Sequence, residues 1–135
     1  MKPEALPRVL VDTSVWIEFF NRPASAEATV LGELIEQDMV VLAGVVIAEI
    51  IQGVRSKEER ELLEASLSVL PFIEDDREDW VSAGRLLAEL RIRGIAVPIT
   101  DAILAQLCLR HDLAIYTLDN HFDHFPKLKQ YTPKD

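Results

Sequence analysis

The sequence predicts an α/β fold: a central, mainly parallel sheet with helices on both faces. Short β-branched and aliphatic runs recur at Val9 to Val11, Met39 to Ala43, Pro71 to Ile73 and Leu113 to Leu118. Segments of helical periodicity separate them, and that alternation needs crossover connections between parallel strands. The strand runs are also apolar at consecutive positions rather than alternating, as strands buried on both faces are.

Taken in order, Val9 to Val11 is the first strand, and Val15 to Phe20 resumes as a largely apolar helix. Asp12, Thr13 and Ser14 are the polar break between them. Asp12 or Thr13 is suited to cap that helix, because a short oxygen-bearing side chain satisfies N–H groups that a first turn leaves unpaired. Ala26 to Gln37 puts Val30, Leu31, Leu34 and Ile35 on one helical face. After the second strand, a helix carries Glu49, with Ile47, Ile50, Ile51 and Val54 as its apolar stripe and Glu49 roughly opposite. Ser56 and Glu59 have capping-box spacing ahead of Leu62, Leu63 and Leu67. Asp76 caps a helix from Arg77 to Arg93 that Gly94 ends, and Thr100 caps the helix beginning at Asp101. Leu128 to Tyr131 has room for a last short strand.

The 135 residues form a single domain, 1–135, and 49% hydrophobic residues are enough for one core. No repeat, low-complexity tract or linker divides the chain, and Thr132 to Asp135 reads as a loose end. The one cysteine, Cys108, sits between Leu107 and Leu109 and reads as a small buried residue in a reducing, cytoplasmic setting. The N-terminus lacks a signal-peptide pattern, and the longest apolar stretch, Met39 to Ala48, is too short to span a bilayer. A net charge of −9 excludes broad phosphate neutralisation as a way of holding nucleic acid. It leaves open a pocket of acids in which bound cations reverse the local sign.

In a parallel sheet, ligands bind beyond the carboxyl ends of the strands. Asp12 follows the first strand, Asp119 follows the last, Asp101 starts a nearly apolar helix and Glu49 lies in the helix after "MVVLAG". Each has a plainer explanation: a cap, a turn with Asn120, a helix-dipole preference, or simple exposure in the case of Glu49. Together they make an oxygen-only donor set for a hard cation such as Mg²⁺ or Mn²⁺, which activates water and steadies a leaving oxygen in phosphodiester cleavage. Thr13, Ser14 and Thr117 add hydroxyls able to orient a carboxylate, though capping and packing explain each taken singly. Trp16, Phe19 and Phe20 read as core filling ahead of a groove or dimer face. Arg91, Arg93 and Arg110 read as solvated helix ends ahead of phosphate guides. His111, His121 and His124 have no zinc-type spacing and become candidates only if cleavage is metal-free.

At these residues the chain resembles the PIN-domain nucleases, and among them the VapC toxins of toxin–antitoxin pairs. "VLVDTSVWIEFF" looks like the family's opening strand and first acid, "VVIAEIIQGV" like its glutamate helix, and "PITDAILAQLCLRHDLAIYTLDNHF" like its third and fourth acids. The match runs from Val9 to about Phe125, in the family's order. The resemblance implies a three-layer α/β/α PIN-like fold and a divalent-metal-dependent endoribonuclease acting on structured RNA such as tRNA or rRNA. It implies a VapB-type antitoxin as partner, a homodimer, and Asp12, Glu49, Asp101 and Asp119 as metal-binding acids. Thr13 and Thr117 would be polar neighbours and Asp123 an additional acid near the site. A non-toxin PIN-domain RNA-processing nuclease, or a PIN-like binding module without catalysis, stays open as an alternative. An aspartyl-phosphate enzyme fits less well, because Ser14 stands where the haloacid-dehalogenase-like pattern needs a second aspartate.

Overall fold

The computed structural model describes residues 8–133. Four strands, β1 (Val9–Val11), β2 (Val40–Ala43), β3 (Phe72–Ile73) and β4 (Ala114–Tyr116), form one sheet in the order β3-β2-β1-β4. Every pairing is parallel, with Leu10 opposite Val41 on one side and Ile115 on the other, and Leu42 opposite Phe72. Successive strand residues point to opposite faces, yet Val9, Leu10 and Val11 are all fully buried. Both faces of the sheet are therefore covered at β1, β2 and β4, as uninterrupted apolar runs require, whereas Phe72 on the edge strand β3 is 50% exposed.

Six helices supply the cover: α1 (Thr13–Asn21), α2 (Ala26–Glu36), α3 (Gly44–Gln52), α4 (Lys57–Ser68), α5 (Arg77–Ile92) and α6 (Ile99–His111). Helix α1 packs on α2 and α3, and α5 packs on α6. Helix α6 buries Ala102, Ile103, Leu104, Ala105, Leu107 and Cys108, so it is apolar almost all round and lies inside the molecule. The α/β expectation holds.

Local signals held at several ends. Ser56 Oγ accepts from the Glu59 N–H at the start of α4. Asp76 and Asp79 form a reciprocal capping box at the start of α5, and Gly94, at φ 80°, follows its end. Three expectations need correction. Asp12 occupies the cap position of α1 but its side chain makes no capping bond. Thr100 lies inside α6, because Pro98 takes the cap position and Ile99 already turns helically. Leu128 to Tyr131 forms no strand beyond a single parallel bridge between Gln130 and Ile115, after Lys127 turns the chain at φ 67°. Of the C-terminal tail, Lys134 and Asp135 lie outside the described residues.

Candidate active site

The site begins where β1 and β4 end side by side. The Asp12 N–H donates to the Tyr116 carbonyl at 2.9 Å, which sets Asp12 beside the residues that follow β4. Two hydroxyls then bind its carboxylate: Ser14 Oγ and Thr117 Oγ1 each donate to Asp12 Oδ2 at 2.8 Å. With their protons so used, both hydroxyls accept, Ser14 from the Leu118 N–H at 3.0 Å and Thr117 from the Asp119 N–H at 2.9 Å. Both hydroxyls in this clamp donate and accept, and the clamp ties the first acid to the loop carrying the last.

Asp119 opens a 3-10 turn, Asn120–His124, and its Oδ1 accepts from the His121 N–H at 2.9 Å. That bond folds the His121 ring back toward the acids, with Nδ1 3.0 Å from Asp119 Oδ1 and 3.0 Å from Asp101 Oδ2. Asp101 lies in the first turn of α6 and is buried. Burial pushes its carboxyl up to about 6, against the hydrogen bond from His121, and the Asp12 and Asp119 charges push the same way as burial. Asp12, Asp119 and His121 thus all act electrostatically on Asp101.

Glu49 joins from α3, where its Oε1 accepts from Thr13 Oγ1 at 2.9 Å. The hydroxyl beside the first acid therefore holds the second. A groove of about 240 Å³ opens beside Glu49, lined by Ile17, Phe20, Ile50, Val54 and Leu63 among others. Trp16 is buried core, as expected, but Phe20 is 42% exposed and lines the groove.

Asp123 turns away, its carboxylate accepting from Gln130 Nε2. Arg110 is not a solvated helix end: its guanidinium grips the buried Asp79 through two bonds of 2.7 Å and donates to the Glu74 carbonyl at 3.0 Å. Sequence reasoning did not bring His121 into the acid cluster. The signal available for it was position, two residues after an acid able to form a side-chain turn.

The donor set fits a divalent cation. Asp101, Asp119 and His121 each offer a ligand atom, all within 4.8 Å of one another; Asp12 and Glu49 lie outside that trio, and the second oxygen of Asp12 makes no side-chain bond among the described residues. Acids so close oppose one another's ionisation, and a cation removes that opposition.

The PIN domain family matches residues 9–128. The chain belongs to that family. This bears out the resemblance read from the three sequence stretches. Ribonuclease VapC11 of Mycobacterium tuberculosis is 29% identical over 119 residues, spanning 85% of this chain and 89% of that protein. Among solved structures, the fold resembles DNA-bound VapBC from Salmonella typhimurium (TM-score 0.77, 18% identity, 93% of this chain and 98% of that one). It likewise resembles VapBC2 from Rickettsia felis bound to a promoter fragment (TM-score 0.76, 20% identity, 91% and 96%). The three-layer α/β/α arrangement of this PIN domain puts every expected acid except Asp123 at the carboxyl edge of the sheet or beside it.

Proposed function

We propose that this PIN domain is a divalent-metal-dependent endoribonuclease, the toxin of a toxin–antitoxin pair, acting on structured RNA such as tRNA or rRNA. One observation carries the reading: Asp12, Asp101 and Asp119 come together from three elements, closely enough that burial and mutual charge push Asp101 up to about 6. A cluster of independent caps has no such coupling. The likeness to VapC ribonucleases supports RNA as substrate, and the likeness to VapBC complexes supports a VapB-type antitoxin as partner. A homodimer and a cytoplasmic setting belong to the same reading. Among the described residues no helix is long and apolar enough to cross a membrane.

Asp12, Asp101 and Asp119 would hold Mg²⁺ or Mn²⁺, with Glu49 as the fourth acid. A bound cation would supply charge neutralisation for the phosphodiester and Lewis acidity toward an attacking water. The chain does the positioning. Ser14 and Thr117 fix Asp12 by one oxygen and leave the other without a side-chain bond. Thr13 steadies Glu49 at the opposite wall, and α6 delivers Asp101 from a dry helix that excludes water behind it.

The test is cleavage of total RNA by purified protein freed of any partner. Cleavage with Mg²⁺ or Mn²⁺, stopped by EDTA and lost in Asp12→Asn with folding intact, is the expected result; cleavage that persists in EDTA overturns the metal mechanism. Growth arrest on expression, relieved by Asp12→Asn and by a co-expressed VapB-type antitoxin, tests the toxin reading. Harmless expression with intact cleavage would make this an RNA-processing nuclease.

A further inference from the structure

We propose that His121 is a specificity-determining ligand, one whose ring nitrogen joins Asp101 and Asp119 on the cation and turns the site's preference from Mg²⁺ toward Mn²⁺, Co²⁺ and Ni²⁺. The proposal rests on the metal-dependent reading above and adds a nitrogen to a donor set otherwise made of oxygen.

Spacing is the first argument. Neighbouring donors on an octahedral cation with bonds of about 2.1 Å lie about 3.0 Å apart. His121 Nδ1 lies 3.0 Å from Asp101 Oδ2 and 3.0 Å from Asp119 Oδ1, and the three atoms lie within 4.8 Å of one another, so one ion that displaces the Nδ1 proton can reach all three. The second argument is rigidity. Asp119 Oδ1 accepts from the His121 N–H at 2.9 Å, and the next residue, Phe122, is 1% exposed, with Phe125 buried beyond it. These anchors fix the backbone that presents the imidazole. Access is the third: the His121 and Asp119 side chains are 41% and 34% exposed, so both stand on the open side of the trio, with Asp101, at 11%, closing it.

An imidazole in this place has a chemical consequence. Mg²⁺ takes oxygen and keeps its waters, whereas affinity for nitrogen donors rises along the first transition row. A histidine that only propped the two carboxylates from outside would change affinity for every divalent cation by the same factor. A histidine that binds the ion changes the ratio.

The experiment measures Mg²⁺ and Co²⁺ affinity by calorimetry on the full chain and on His121→Asn, with RNA cleavage recorded beside it. The expected result is a loss of about tenfold or more for Co²⁺ with Mg²⁺ little changed. Equal losses for the two ions, or none, would overturn the proposal. Because the variant could disturb the turn, a second measurement uses the wild-type chain alone: Mn²⁺ bound to it should show nitrogen modulation in pulsed electron paramagnetic resonance. Bound Mn²⁺ without nitrogen modulation overturns the role of His121 and leaves the nuclease reading standing. A wild-type chain that binds no divalent cation overturns both.

Discussion

Asp101 and Asp79 are both buried carboxyls, and they depend on pH with opposite signs. For Asp101 the folded-state value of about 6 lies above the usual 3.8, so between these values the folded chain holds the proton that the unfolded chain has lost. Its ionisation therefore weakens the fold as pH rises from about 4 through 6. In EDTA at pH 7, Asp101→Asn should melt higher than wild type, and the advantage should fade toward pH 4, as thermal melts across pH will show. The same variant should lose RNA cleavage and most of the stabilisation that Mn²⁺ gives, since a ligand stabilises only as far as it binds the folded state. Asp79 runs the other way. Burial raises its carboxyl, but the Arg110 hydrogen bonds and charge, with the bonds from Asp76 and Gln106, outweigh that and leave it below the usual value. Its contribution is present above the unfolded value and is lost as pH falls through the folded one. Arg110→Met leaves Asp79 buried without its cation, so melting at pH 7 should drop by several degrees, and the deficit should narrow in strong acid.

At the scale of elements, the 3-10 turn and the α5 cap make a matched pair of tests. Phe122→Ala removes a fully buried ring and should cost about 3–5 kcal/mol of stability in denaturant melts. It should also weaken Mn²⁺ binding, because the turn that presents Asp119 and His121 loses its anchor. Asp76→Ala breaks the capping box far from the acids and should cost about 1 kcal/mol while cleavage stays at the wild-type rate. The same contrast explains what the sequence disclosed. Capping at Ser56 and Asp76 and the stop at Gly94 were legible because their partners lie within a few residues. Strands β1, β2 and β4 were legible because burial on both faces forces unbroken apolar runs. Asp12 misled as a cap because its carboxylate bonds Thr117, a residue 105 positions away that no local rule connects to it. Arg110 misled for a like reason, its partner Asp79 being brought close only by the packing of α5 on α6. Glu49 looked solvent-facing by helical period, and a single bond from Thr13, on another helix, gives it a place beside the site.

For the molecule as a whole, a net charge of −9 limits how RNA is held. Few phosphates can be neutralised by side chains, so the cations must do much of that work at one place. In filter-binding assays with a cleavage-resistant RNA, affinity should collapse in EDTA, and with Mn²⁺ present it should fall only gently as NaCl rises. A steep salt dependence would point to a basic surface elsewhere. The order of the sheet has a temporal consequence. Strand β1, which leads into Asp12, is made before β4, yet the two pair directly, Val9 opposite Ala114. On a ribosome, where synthesis runs from the N-terminus, β1 waits for this neighbour until the helices and strands between them have been made. Asp12 stays without Thr117 and Asp119 until they too have emerged, so a nascent chain stalled before Ala114 should cleave nothing.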